Sequence, residues 1–409
     1  MNKQSRSRRS IERPTLSSSI LPHDLIVQIL LRLPVRSLLR FKSVCKSLQS
    51  LISDPQFCKS HFDLAAAPTH RCLTRDNHSE IESLDVDAPL HNEASVVNLR
   101  FPLPMYSVYG VDDPSSDVEF LGSCRGFVLV AYPQGDVFVW NPATGVRRRI
   151  AGNVHEMIDC INGFGYDRLT DDYLLVLIEL IPLQEYHEDD IEANDPIGIR
   201  LFSMKTNSWF YLQGTNVPYI DLDSCEFKAG QFLNQALHWL VISYETEHHV
   251  IIAFDLVERS LSEIPLSQVL VKKLENKEYY LQVLGECLSL SYPGDAESMA
   301  EIWMMKDYKV SSSWTKLFVF PTCNIRHNVF FPICFTKHGE IFGSNGFARF
   351  VIFNDKGLLL DQCTFNTYRE SLLQCGMYRE SLLSLPNASE EASEDDQLMR
   401  KQLKITNSN

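Results

Sequence analysis

Three things are scarce in this 409-residue sequence, and each scarcity excludes a class of protein. Long apolar runs are missing. The longest, Tyr173 to Leu183, is interrupted by Glu179 and falls well short of the ~20 apolar residues a membrane helix needs. Cysteines never fall close together: there are 11, and the nearest two are Cys323 and Cys334. That spacing supplies neither the CxxC-type pairs of a structural zinc site nor the compact framework of a disulfide-stapled domain. Positive charge is the third shortage, with 38 Lys and Arg against 52 Asp and Glu and a formal net charge of −14. A surface built for nucleic acid needs clustered cations to release counterions, so that partner is not expected.

The opening segment, MNKQSRSRRSIERPTLSSS, lacks the apolar core of a signal peptide, and a cytoplasmic and/or nuclear home is the expectation. In a reducing compartment the sequons at Asn77 and Asn387 carry no consequence. What the chain does have is 44% hydrophobic residues, enough for a packed core. It also has 23 Phe and 15 Tyr, whose rings suit the half-buried pleated surface of a sheet.

Composition divides the chain. Residues 1–19 form a basic, Ser/Arg-rich head expected to be disordered. Residues 386–409 carry the run Ser389-Glu390-Glu391-Ala392-Ser393-Glu394-Asp395-Asp396 and read as a disordered acidic tail. Glu185 to Asp195 reads as a solvated acidic loop.

Residues 20–64 are helical in pattern. Pro22 suits a first helical turn, and Leu25, Ile29 and Leu33 recur every fourth residue, with Leu30 widening the face. Pro34 ends that helix. Leu38, Phe41, Val44, Cys45 and Leu48 predict a second helix, and Asp54-Pro55 reads as an N-cap and first-turn proline for a third, to about Phe62. Three short helices bury little surface alone, so such a module leans on a partner or on the rest of the chain.

From about residue 70 the pattern turns to short strands, and it recurs. Ile81 to Asp85 is followed by VFVWNPATGVRRRI (137–150), IRLFSMKTNSWFYL (199–212), IIAFDLVERSLSEIPL (251–266), IWMMKDYKVSSSWTKLFVF (302–320) and FVIFNDKGLLLDQCTF (350–365). Most of these units have an alternating strand, a polar turn usually carrying Asn or Asp and a second strand, and most follow a Gly-containing strand pair such as LGSCRGFVLV (121–130). A period of roughly 40–65 residues is that of a four-stranded propeller blade. Six blades are favoured; a seventh requires residues 62–118 to hold more than one.

The helical residues Leu21-Pro22-His23-Asp24-Leu25-Ile26-Val27-Gln28-Ile29-Leu30-Leu31-Arg32-Leu33-Pro34-Val35-Arg36-Ser37-Leu38-Leu39-Arg40-Phe41-Lys42-Ser43-Val44-Cys45-Lys46-Ser47-Leu48 closely resemble the F-box. The remainder is similar to the plant F-box-associated, kelch-like family, on Gly122-Ser123-Cys124-Arg125-Gly126, Trp140-Asn141-Pro142-Ala143-Thr144-Gly145, Gly163-Phe164-Gly165-Tyr166-Asp167 and Asp171-Asp172-Tyr173. The fold class expected is therefore α+β multidomain: a small three-helix F-box at 20–64, then an all-β propeller-like domain of about six blades at 65–385. The resemblance implies a non-catalytic substrate adaptor of a Skp–cullin–F-box ubiquitin ligase. Its F-box would dock the Skp-family linker, and through it cullin, while the propeller presents an unidentified target protein.

By that resemblance Leu21, Pro22, Leu25, Ile29, Leu30, Leu33, Pro34, Val35, Leu38, Phe41, Val44 and Cys45 form the linker interface or its immediate support. Leu48 stands where family members usually carry Trp, and Gln28 where an acid is common. Residues 1–60 hold eleven Lys or Arg against Glu12, Asp24 and Asp54, a net of +8, which leaves −22 for the rest. The linkers are acidic by family resemblance, so a basic docking end favours association.

Other motifs have cheaper readings than catalysis. Gly122-x-Cys124-x-Gly126 has the form of a nucleophile elbow, but a strand, Phe127 to Val130, follows it instead of a helix. Gly163-x-Gly165 lacks the third glycine of a dinucleotide site. His248 and His249 point to opposite faces of a strand. Asp171-Asp172 reads as an Asp-rich turn rather than a glycosidase pair. Trp140, Trp209, Trp239, Trp303 and Trp314 read as blade-packing residues, with a ligand cage as the alternative. Arg6, Arg8 and Arg9 read either as an import signal or as a solvated arm. The hexapeptide Tyr-Arg-Glu-Ser-Leu-Leu occurs at 368–373 and again at 378–383, and only one copy can occupy a closing strand. No catalytic residue, metal or cofactor is expected, and no membrane. The rivals are a propeller hydrolase, which needs convergent carboxylates or a metal cluster at the channel, and an F-box scaffold acting outside the ligase.

Overall fold

The computed structural model describes residues 22–64, 69–75, 81–90, 96–99, 119–131, 136–150, 160–180, 198–212, 218–220, 229–274, 279–292, 299–321, 330–344, 349–364 and 375–386. Leu21, the basic head, Glu185 to Asp195, the first hexapeptide copy, both sequons and the acidic tail lie outside them.

The first range holds four helices: α1 His23–Leu30, α2 Val35–Phe41, α3 Lys46–Ser53 and α4 Pro55–Leu64. Proline sets the early boundaries. Pro22 and Pro34 are the N-caps of α1 and α2, with ψ of 141° and 148°, and their carbonyls accept the first helical bonds. Asp54 Oδ1 accepts the Phe57 N–H at 2.9 Å, so the Asp N-cap and first-turn proline of α4 are as the sequence predicts. The middle stretch differs: one helix was expected and two form. The chain leaves the helix after Phe41, and Cys45 is extended at φ −157°, ψ 160°. No Gly or Pro marks this break. Ser43 Oγ instead donates to the Arg40 carbonyl at 2.6 Å, giving the helix end a side-chain partner.

The rest is six antiparallel sheets arranged as blades. Blade 2 runs Glu119–Cys124, Phe127–Ala131, Val137–Trp140 and Arg147–Ile150, from the innermost strand outward. Blade 3 is Cys160–Asp167, Asp172–Glu179, Ile199–Ser203 and Ser208–Leu212. In blade 4 the inner position is shared by Tyr219–Ile220 and Gln231–Leu233, both paired to Ala236–Ser243, and His249–Asp255 and Ser260–Ile264 follow. Blade 5 is Tyr280–Leu284, Cys287–Tyr292, Met299–Met305 and Trp314–Pro321. Blade 6 is Phe331–Phe335, Ile341–Ser344, Arg349–Phe353 and Leu359–Thr364. Helix α5, Gln268–Leu274, links blade 4 to blade 5 and buries Leu270 and Leu274.

Blade 1 closes the ring. Its outer three strands, His70–Arg75, Ile81–Asp85 and Val96–Leu99, come from the start of the domain, and its innermost strand, Gly376–Arg379, comes from the end. The second hexapeptide copy is therefore the one that closes the propeller, with Arg71 opposite Tyr378 and His70 opposite Arg379. Pairing the two chain ends in one sheet removes the free edges an open ring would leave.

The core sits between blades. Each seam has its own apolar cluster, for example Ile161, Val176, Leu201, Trp239 and Phe254 between blades 3 and 4. Trp140, Trp239, Trp303 and Trp314 are buried in these seams, and Trp209 packs half-buried beside Phe202, which is the blade-packing role. Gly163 and Gly165 also belong to a seam. A Cβ on Gly163 would come within 2.9 Å of Leu237 and Trp239, and one on Gly165 within 2.4 Å of Leu256.

Candidate protein-docking face

Helix α1 is amphipathic, but its regular four-residue stripe points outward. Ile26, Val27, Leu30 and Leu31 face the core, whereas Leu25 and Ile29 are each 50% exposed. The end of α2 and the turn after it add Phe41 and Val44, at 37% and 68% exposed. Pro22, Pro34 and Cys45 are exposed, Leu33 is half-buried, and Leu30, Val35 and Leu38 are buried. The twelve residues named from the sequence thus divide into an outward apolar group and the packing beneath it, with Leu21 outside the described residues. Leu48 is half-buried against the same core, and Gln28 is exposed, its side chain accepting from Arg32 at 3.1 Å. Arg32, Arg40 and Lys46 are also exposed on the same helices, with Asp24 the exposed acid beside Leu25.

The inward side of the helices is fused to the propeller. Leu30, Leu31, Val35, Leu38, Ile52, Phe57 and Cys58 share one continuous core with Phe127, Leu129 and Phe164 of blades 2 and 3 and with Leu382, Leu383 and Leu385 beyond the closing strand. Charged contacts surround this seam. Arg36 Nε donates to Glu380 Oε1 at 2.9 Å, and buried Arg71 Nε lies 3.8 Å from the same oxygen. The Arg125 guanidinium sits 4.7 Å from the Phe62 ring centre and 4.3 Å from that of Tyr166, and the Arg379 guanidinium lies 4.0 Å from the Phe62 ring centre while donating to the Phe62 carbonyl. Lys59 pairs with Asp171, which also accepts from the Tyr166 hydroxyl at 2.5 Å. Inside the module, His61 Nε2 reaches the Leu33 carbonyl at 2.8 Å.

All these propeller groups lie at one end of blades 1 to 3. Arg125 and Asp171 sit in the turns joining first to second strands, and Glu380 follows the inner strand of blade 1. In an up-and-down blade, the connections between second and third strands, and those to the next blade, leave from the other end. The strand ends at Leu99 and Glu179 therefore lie at the face opposite the helices.

The residues weighed for catalysis have structural partners. Arg125 and Gly126, at φ 49° and 88°, form the two-residue turn of a hairpin, so Cys124 stands on no elbow. Asp171 and Asp172 diverge: Asp172 accepts from Ser203 Oγ and from the Lys205 N–H at 2.8 Å, while Asp171 is engaged by Lys59. His248 is exposed in a turn, and His249 starts the next strand opposite Ile242. Among the described residues no three or more His, Cys, Asp or Glu are gathered to hold a metal, and no helix is long and apolar enough to cross a membrane.

Sequence reasoning found the outward stripe but missed Arg36, Lys59, Phe62, Arg125, Arg379 and Glu380. Their partners are distant in sequence, and the one available signal was the repeated hexapeptide that contains Arg379 and Glu380.

Comparison with known proteins agrees with this architecture. Residues 18–60 match the F-box domain, and residues 76–376 match the F-box associated beta propeller domain. The F-box protein CPR1 of Arabidopsis thaliana is 27% identical over 325 residues, covering 73% of this chain and 72% of that protein. An F-box/kelch-repeat protein of the same plant is 28% identical over 327 residues, covering 76% of this chain and 82% of its own length. With an N-terminal helical module presenting one apolar face and a six-bladed ring closed by its last strand, the chain belongs to the family of F-box proteins with an F-box-associated β-propeller.

Proposed function

We propose that the protein is the substrate-recognition adaptor of a Skp–cullin–F-box ubiquitin ligase and performs no chemistry of its own. The observation that carries this reading is the division of the helical module. One side is spent in the propeller core, and the other leaves Leu25, Ile29, Phe41 and Val44 exposed together on a module of short helices. An amphipathic helix with an unoccupied apolar face suits helix-in-groove binding. Here it docks the Skp-family linker, with Pro22, Pro34 and Cys45 beside it and Leu30, Leu33, Val35 and Leu38 as its support. The exposed cations of these helices match an acidic linker and speed encounter.

The joint gives the adaptor its mechanical logic. A shared core and several charged contacts hold the docking face in a fixed orientation to the ring. A target bound at the opposite face is then held at a set distance from the ligase's transfer centre. Cullin is reached through the linker. Proximity labelling with and without proteasome inhibition tests the reading: a target accumulates only under inhibition, and its ubiquitination requires the chain. A labelled set unchanged by inhibition, with no ubiquitin transferred, would refute it and leave a scaffold acting outside the ligase.

A further inference from the structure

The seam between blade 6 and blade 1, where the ring closes, gathers four of the chain's cysteines. Cys72 lies on the second strand of blade 1 and is fully buried; Cys375 immediately precedes the closing strand; Cys334 and Cys363 come from the inner and outer strands of blade 6. All four join one apolar cluster with Leu84, Phe342 and Phe350, and all are free thiols. They do not converge as a metal site.

One pair is placed for a covalent link. Cys72 is opposite Met377 in the antiparallel ladder, so Cys375, two residues earlier, projects to the same face as Cys72. The Cys72 Sγ donates to the Leu73 carbonyl at 3.6 Å, and both cysteines line the same apolar cluster. Diagonal neighbours on a sheet start about 7–8 Å apart, slightly beyond the usual Cα span of a disulfide. Cys375 stands just outside the ladder, which begins at Gly376, so closing that gap breaks no ladder pair. We propose that Cys72 and Cys375 form a reversible disulfide under peroxide, locking the closing strand to the first blade.

The steps balance. The Cys375 thiolate, the more accessible of the two, attacks hydrogen peroxide and becomes a sulfenic acid with loss of hydroxide. The Cys72 sulfur then attacks that sulfur, forming the S–S bond and releasing water. Burial drives the Cys72 thiol far up, so it acts as the resolving partner, not as the first nucleophile. Burial also lifts Cys363 to about 11 and Cys334 to about 12, which makes them poor first nucleophiles toward peroxide. The link bears on the joint, because the strand it pins continues into Glu380, Leu382 and Leu383, which hold the helical module.

The test uses the full chain, oxidised with hydrogen peroxide at neutral pH and mapped by non-reducing peptide mass spectrometry. The expected result is one cross-linked peptide pair joining Cys72 to Cys375, loss of two free thiols, and a rise in Tm of roughly 5 °C that dithiothreitol reverses. Cys375→Ser should abolish both the cross-link and the shift, and Cys363→Ser should leave them intact. Oxidation of Cys375 to sulfinic acid without a cross-link, or a link from Cys375 to Cys334 instead, would overturn the proposal.

Discussion

Replacing Glu380 with Ala is expected to lower stability by about 3 kcal/mol, although the residue lies outside both the apolar docking group and the blade cores. Its side chain is 4% exposed and faces Arg71, which is 3% exposed, and Arg36, which is 41% exposed. Removing one member of a buried pair typically costs about 3–5 kcal/mol, because the remaining charge stays desolvated. Arg71 would keep Ser83, at 2.5 Å and 2.6 Å, and Asp85 at 3.7 Å, which places the loss at the lower end. Arg36→Ala removes the half-exposed partner and leaves Glu380 with Arg71, so about 1 kcal/mol is expected. Glu380→Gln keeps the shape and an acceptor oxygen and should fall between the two. Urea unfolding followed by tryptophan fluorescence measures all three. An Ala variant within about 0.5 kcal/mol of the parent, or an Arg36 variant as damaging as the Glu380 variant, would show that the joint is not organised around this carboxylate.

Gly126→Ala should cost about 1–3 kcal/mol and loosen the segment after the closing strand, read as faster proteolysis near residue 381. The residue has φ +88°, and a Cβ there would meet Ser381 Oγ at 2.4 Å and the Arg379 carbonyl at 2.8 Å. Leu38→Ala, at a fully buried position shared by helices and propeller, should cost about 2–5 kcal/mol in the same unfolding assay. Acid should weaken the joint through Asp171. Hydrogen bonds from Lys59, then from Tyr166, hold its carboxyl below the usual carboxylate range. A depressed folded value gives stabilisation that is present above the ordinary range near pH 4 and is lost as pH falls further. Both side chains are about half exposed, so Asp171→Asn should flatten the acid limb of a stability–pH curve by at most ~1 kcal/mol.

Much of this architecture can be read from local patterns. The prolines at 22, 34 and 55 and the Asp54 cap mark helix starts by backbone geometry alone, and Asn141, Asp255 and Asn354 mark hairpins by accepting backbone N–H bonds within their turns. The break between α2 and α3 carries no such mark, because it depends on a serine side chain bonding back to a carbonyl and on packing against distant strands. The stripe of Leu25 and Ile29 is visible as periodicity, but periodicity does not say which of two apolar faces turns inward. Only the wider face of α1, with Ile26, Val27, Leu30 and Leu31, meets the propeller. The joint itself is invisible in sequence. Arg36 and Glu380 are 344 residues apart, and a charged residue on a helix reads as solvated until the fold supplies its partner. The duplicated hexapeptide pointed to a closing strand without saying which copy serves; pairing of Tyr378 and Arg379 with blade 1 answers that.

The most direct test of the adaptor account is reconstitution of the full chain with a purified Skp-family linker and cullin, followed by size-exclusion chromatography. The account predicts a stoichiometric complex for the parent chain. It predicts loss of that complex for the Leu25→Asp, Ile29→Asp double variant, whose unfolding curve should match the parent because both positions are half exposed. A complex that survives the double substitution, or a parent chain that elutes alone, would contradict the docking face assigned to α1.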